Sequence, residues 1–279
     1  VRSHVVSVRR GKGVEGGYGV GLFDRGSKGA TLTEPGHILF EKAQRIMEIE
    51  DEINQEFDDL RGLKGGELHV GASTTVGNYL MPFYLGEFKK RYPEVKVSLI
   101  VENTRIIEDQ LLAGMFPLAV VEHDVQNQSL VRDAIEKDEL VLIVSPRHRW
   151  AQLDSVPKEE LMQEPFITRE LGSGTREVIE AALEQQGILK LNVVMELGNS
   201  SAIKTAVAAG LGVSILSRRA VHAQLEGRIL RQVPIKDVAL NRDFYLITVA
   251  ERYNSPASVK FRELLVAGGG STGLVPELA

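Results

Sequence analysis

The 279-residue chain has no cysteine. Disulfides and thiolate metal sites are therefore excluded, and a cytoplasmic home is permitted. No uninterrupted apolar run approaches the ~18 residues that a membrane-spanning helix needs. Residues 1–20 lack the continuous apolar stretch of a secretory leader and are broken by arginine and glycine, which favours a cytoplasmic location. The six histidines, at positions 4, 37, 69, 123, 148 and 222, form no H-x-x-x-H or H-E-x-x-H pattern. Neither a G-x-S-x-G elbow nor a Walker-type Gly-Lys-Ser/Thr occurs. No metal and no cofactor is expected, and the sequence argues against an enzyme. A strong excess of one charge is missing too. The formal net charge of −5 is not the electrostatic footprint of a nucleic-acid coat.

Charge is present but unevenly placed. Residues 1–31 carry a net +4 and residues 32–62 a net −6, which suggests two different tasks. Within the basic end, Gly11-Lys12-Gly13-Val14-Glu15-Gly16 matches G-x-G-x-x-G as a string. A dinucleotide turn must follow a strand and open a helix. Arg9 and Arg10 intervene before it, and the glycine-rich run after it is a poor helix, so cofactor binding is rejected.

The acidic stretch has helical periodicity. Thr33 is a candidate N-cap and Pro35 falls in the first turn. Apolar residues recur at Leu39, Ala43, Ile46, Ile53, Phe57 and Leu60, a heptad seam with Glu50 in one slot. One reading is an ordinary amphipathic surface helix. The favoured one is a linker helix that pairs along its seam. Gly62–Gly66 ends it.

From Glu67 onward, strands and helices alternate, which predicts an α/β fold of mostly parallel sheets with helices on both faces. One β-α-β-α-β series starts at Glu67 and a second near Pro165, so two lobes with a cleft between them follow. The expected divisions are 1–32, the helix 33–62, lobe I at 67–144 and 246–266, lobe II at 145–245, and a disordered tail at 267–279. His148-Arg149-Trp150 is expected at a crossover between lobes.

Ligands of open α/β sheets bind beyond the carboxyl ends of strands. Three loops there are rich in hydroxyl groups. Ser73, Thr74 and Thr75 follow one strand, and hydroxyls with backbone N–H groups at a helix start suit a small anion. Ser173, Thr175 and Arg176 follow another, where Arg176 offers a planar fork. Ser200 and Ser201 open the next helix. Helix capping explains the same residues without any ligand. Glu122-His123-Asp124 clusters ionisable groups at a strand end and reads as a polar rim rather than a catalytic set.

Gly19-Val20-Gly21-Leu22-Phe23-Asp24-Arg25 followed by Leu32-Thr33-Glu34-Pro35-Gly36 resembles the end of the winged helix-turn-helix of LysR-type transcriptional regulators. The loops at 72–82 and 170–177 look most like the branch with regulators of sulfur assimilation and carbon fixation. The resemblance spans roughly residues 22–265. It implies a long dimerising linker helix and a two-lobed effector domain like that of periplasmic binding proteins. It also implies homodimers, often tetramers, operator DNA as a partner, and a small co-inducer in the cleft. Position by position it places Thr74, Thr75, Ser173, Thr175, Arg176, Ser200 and Ser201 against that ligand. It points to Arg9, Arg10, Arg25 and Lys28 for DNA contact. Residues 1–31 precede Leu32, where the family has about sixty, and the resemblance implies that the first helices of the DNA-binding domain are not expected within that stretch. Gly11, Gly13, Gly16 and Gly17 stand where a recognition helix should end, and each costs about 1 kcal/mol relative to Ala inside a helix. The expectation is weak or no operator binding by this chain alone. The alternative is a solute-binding module without a DNA role.

Overall fold

The computed structural model describes residues 19–26, 29–60, 63, 65–123, 127–188, 190–250, 252 and 254–268. Arg9, Arg10, Lys28, the glycines at 11–17, Asp124 and the tail beyond Gly268 lie outside them, as does the side chain of Arg25. The chain divides into two compact units, Val1–Phe57 and Asp58–Ala279.

In the first unit, strands β1 (Phe23–Gly26) and β2 (Gly29–Leu32) pair antiparallel, with Phe23 opposite Leu32. Helix α1 (Glu34–Leu60) follows directly. The residues between explain the L-T-E-P-G pattern. Thr33 Oγ1 accepts from the Gly36 N–H at 3.1 Å, the N-cap bond that was expected. The same hydroxyl donates to Gly21 O at 2.6 Å, and Thr33 N–H donates to Leu22 O at 3.1 Å. Gly36 packs against the Leu22 carbonyl so closely that a Cβ would collide with it. Along α1, Ile46, Ile53 and Phe57 remain 66 %, 51 % and 56 % exposed.

The second unit holds a 7-stranded sheet in the order β10-β6-β11-β5-β3-β4, with β9 also on β6. Its strands are β3 (Glu67–Ser73), β4 (Lys96–Glu102), β5 (Leu118–Val121), β6 (Leu130–Val144), β9 (Ser214–Ser217), β10 (Arg231–Gln232) and β11 (Leu240–Val249). A separate pair, β7 (Phe166–Arg169) and β8 (Val193–Leu197), is parallel. The helices are α2 (Thr74–Tyr79), α3 (Met81–Arg91), α4 (Thr104–Leu112), α5 (Gly174–Gln185), α6 (Ser200–Ala208), α7 (Arg218–Glu226) and α8 (Pro256–Gly268).

Strand alternation sorts the cores. Leu118 and Val120 of β5 face a cluster with Tyr84, Phe88 and Phe261, while Ala119 and Val121 face Ile107, Leu111 and Phe116. In the other lobe, Leu140, Leu142 and Val144 of β6 join Trp150, Phe166 and Leu183, and Val141 and Ile143 join Ile203, Val207 and Val221. The lobes thus divide within β6, between Ile135 and Leu140, and within β11, between Leu240 and Phe244. Both long strands run unbroken through the crossing, so no turn marks it.

Two expectations need correction. The sheet is mixed rather than mostly parallel, because β11 runs antiparallel to both β5 and β6, and β6 antiparallel to β9 and β10. Trp150 does not sit at the crossover. It is buried in the second lobe's core, and its Nε1–H donates to Glu160 at 3.0 Å. The polar tip of an indole needs such a partner when the ring is buried.

In the second lobe, too, a glycine is dictated by close approach. A Cβ on Gly212 would lie 2.5 Å from Pro165 O, the oxygen that accepts from Val213 N–H. Gly212→Ala is expected to lower stability by roughly 1–3 kcal/mol through overpacking, read as a shift of the urea midpoint; an unchanged midpoint would contradict the close contact.

Candidate effector cleft

The parallel strands β3 and β5 carry Ser73 and Glu122 to the same edge, since Ala72 lies opposite Val120. Apolar residues drive both strands into the core, and the chain must turn where they end. In lobe I, Thr75 N–H donates to Glu122 Oε1 at 2.8 Å. In lobe II the turn Gly172-Ser173-Gly174 delivers the start of α5 to the same carboxylate. Thr175 N–H donates to Glu122 Oε2 at 3.0 Å and Thr175 Oγ1 donates to it at 3.1 Å. The Thr75 and Thr175 hydroxyls are 3.3 Å apart. Gly174 makes the approach feasible: its N–H donates to Thr104 Oγ1 at 3.2 Å, and a Cβ there would lie 2.7 Å from that oxygen. Gly172 adopts φ +82°, the left-handed region that favours glycine, and its carbonyl accepts from Arg105 N–H at 3.3 Å.

Glu122 is 1 % exposed and needs a countercharge. Arg242 of β11 supplies it. Its Nη1 donates to Thr175 Oγ1 at 2.9 Å and lies 3.9 Å from Glu122 Oε2. Asp138 of β6 fixes that guanidinium, accepting from Arg242 Nε at 2.8 Å and from Ser217 Oγ at 2.7 Å. Next to it, Arg219 donates to Glu136 at 2.9 Å. Burial alone pushes the Glu122 carboxyl up. The Arg242 guanidinium, the Thr75 hydrogen bonds and Arg169 together outweigh burial and hold it below the ordinary carboxylate range.

The residues singled out from sequence fall into three groups. Thr75 and Thr175 meet at Glu122. Ser73, Ser173 and Ser200 are buried, and their hydroxyls make no hydrogen bond within the chain. The first two occupy N-cap positions without capping through their side chains, and Asn199 caps α6 in place of Ser200. Helix capping therefore does not account for these three hydroxyls. The remaining three point elsewhere. Thr74 Oγ1 donates to Glu102 O at 3.1 Å, Ser201 is exposed, and Arg176 is taken up by Glu180 and Glu196, each at 2.7 Å. Among the described residues, a buried guanidinium nitrogen without a hydrogen-bond partner is found on Arg169 of the same loop. Arg169 is 2 % exposed, and Glu170 engages its Nε and Nη2 while Nη1 has no partner.

Sequence reasoning missed four residues here: Glu122 as more than a rim, Arg169, Asp138 and Arg242. Glu122 had a signal, an acid closing the apolar run Leu118–Val121. Asp138 and Arg242 are separated by 104 positions and had none. Among the described residues no group of histidine, aspartate or glutamate is arranged to hold a metal, and no helix is long and apolar enough to cross a membrane.

Residues 61–269 match the family described as the LysR substrate binding domain. Over 250 residues the chain is 40 % identical to the probable RuBisCO transcriptional regulator of Cyanophora paradoxa, spanning 88 % of this chain and 77 % of that protein. The chain belongs to the LysR-type transcriptional regulators. The regulatory domain of Synechocystis PCC6803 CcmR, solved in complex with 2-PG, is similar at TM-score 0.67 and 31 % identity, over 72 % of this chain and 96 % of that one. A full-length OxyR variant from Pseudomonas aeruginosa shares the fold at TM-score 0.71 and 20 % identity, over 95 % of this chain and 84 % of that one. The LysR effector fold, a two-lobed relative of periplasmic binding proteins, is thus the architecture described above.

A second ionisable cluster in this LysR-type regulator crosses between the lobes. His123 Nε2 lies 3.2 Å from Glu177 of α5 and 3.8 Å from Glu108 of α4. Burial first, then the charges of Glu177 and Asp109, push Glu108 from its ordinary 4.5 up to about 7. The folded chain therefore holds a proton there that the unfolded chain releases at lower pH, and stability contributed by this group falls as pH rises through that window. Glu108→Gln is expected to flatten the decline between pH 4.5 and 7, by on the order of 2 kcal/mol, in urea unfolding followed across pH. An unaltered pH dependence would show that Glu108 titrates normally.

Proposed function

We propose that the cleft of this regulator binds a small anion, and that binding re-aims a DNA-binding head carried on α1. One observation carries the reading: Ser73 Oγ, Ser173 Oγ, Ser200 Oγ and Arg169 Nη1 are buried donors without partners in the chain. Buried polar groups are rarely left unpaired, since each costs about 1–3 kcal/mol. All four sit at carboxyl ends of strands or at the helix starts beyond them, and a carboxylate or phosphoryl oxygen would complete them. Thr74, Thr75, Thr175, Arg176 and Ser201 frame the same loops. The CcmR regulatory domain was solved with 2-PG, which makes that anion the first to test.

The rest of the reading concerns partners. The exposed seam Ile46, Ile53 and Phe57 is the surface through which α1 pairs with a second copy, giving a homodimer that assembles further into tetramers. Operator DNA is the second partner, Arg9, Arg10, Arg25 and Lys28 supplying charge for its phosphates, and this chain alone binds it weakly or not at all, which a gel-shift assay checks. The protein acts in the cytoplasm as a regulator rather than an enzyme, in keeping with the transcriptional regulators it resembles.

Thermal-shift measurements on the chain should show stabilisation by 2-PG or by another small oxyanion. A ligand at a hundred times its Kd adds about 2.7 kcal/mol. Ser173→Ala and Ser200→Ala are expected to weaken that shift without lowering the ligand-free Tm by more than a few degrees. No shift with 2-PG, sulfate, phosphate or carboxylates at millimolar concentration would overturn the proposal.

A further inference from the structure

Glu122 occupies the place where an anion bridging the lobes would be held. Its two oxygens receive the Thr75 N–H from lobe I and the Thr175 N–H and hydroxyl from lobe II, at 2.8, 3.0 and 3.1 Å. Arg242 stands behind them, donating to the Thr175 hydroxyl that in turn donates to Glu122. A donor set of this kind, two backbone N–H groups at helix starts, one hydroxyl and one guanidinium, is what recognises a free carboxylate or phosphate. Here the chain itself supplies the carboxylate. The two N–H groups and the hydroxyl that reach its oxygens are engaged by it, whereas the Ser73, Ser173 and Ser200 hydroxyls and Arg169 Nη1 have no partner.

We propose that Glu122 is a resident anion: a chain-borne carboxylate that latches the two lobes together and leaves the effector to bind beside it, on the unpaired serines and Arg169. The inference deepens the reading of the cleft as an effector site and rests on it for the second half only. Thr75 and Thr175, which the family pattern assigns to the ligand, belong to the latch. The ligand-free lobes are then already bridged, and the effector does not have to supply the charge that joins them. Removing the carboxylate creates a cavity lined by the same donors, which takes a small free carboxylate such as acetate or formate.

The test needs no effector, so its failure is separable from failure of the sensing proposal. In the full chain, Glu122→Ala should lower the Tm by roughly 5 °C or more. Amide hydrogen exchange should accelerate in peptides covering 74–79 and 174–183, more than in the cores around Phe88 and Trp150. Sodium acetate at tens of millimolar should restore both Tm and protection, sodium chloride at equal ionic strength should not, and wild-type protein should respond to neither. Glu122→Gln keeps the volume and loses the charge. It should show the same local acceleration without acetate rescue, and it stands in if the alanine variant does not fold. Unchanged exchange at both helix starts, acceleration spread evenly over the chain, or an alanine variant that acetate does not restore would overturn the latch.

Discussion

The polar architecture of this regulator depends on one buried carboxylate. Glu122 leaves the end of an apolar strand and is closed off from water, yet it is held ionised by donors from both lobes. An ionised carboxylate in such a place is costly unless every lone pair is met and a countercharge is near. That requirement explains the surroundings. Gly172 and Gly174 let the second lobe's helix reach the oxygen, and Thr175 relays between Glu122 and Arg242. Asp138 and Ser217 then hold Arg242 in place. Because Arg242 and Asp138 lie opposite each other where β11 and β6 cross from lobe to lobe, the countercharge is anchored on backbone that the lobes share.

Two sets of donors at the cleft have different tasks. Those around Glu122 are engaged and define how the lobes meet. The serine hydroxyls and Arg169 Nη1 have no partner within the chain, and on the proposed reading they are what a ligand completes. On the proposed reading, a ligand that completes the second set stabilises the arrangement that the first set has formed. A ligand changes a conformational equilibrium only by its differential affinity for the two states, and donors drawn from both lobes provide that difference.

Much of this was legible in the sequence, for identifiable reasons. The L-T-E-P-G pattern rests on local contacts among Gly21, Leu22, Thr33 and Gly36, all within sixteen residues, so the string itself encodes the geometry. Hydroxyl-rich loops at strand ends were visible because strand and helix alternate with regular period. The long-range partners were not. The first half of β6, Leu130–Asp138, reads as charged and irregular, and pairing with β11 rather than local propensity makes it a strand. Arg176 looked like the ligand's fork, but its side chain turns toward Glu180 and Glu196. Arg169, seven positions earlier, has the nitrogen left unpaired. Which arginine of a loop faces a cleft is decided by tertiary packing, which spacing alone does not report.

The central claim, that the buried Glu122 carboxylate is held ionised between the lobes, is open to direct observation. Carbon-13 NMR of glutamate side-chain carboxyls, titrated on the intact chain, should reveal one resonance that stays ionised to pH values below the ordinary ~4.3 and that disappears in Glu122→Gln. A Glu122 resonance that titrates with the surface glutamates would contradict the account.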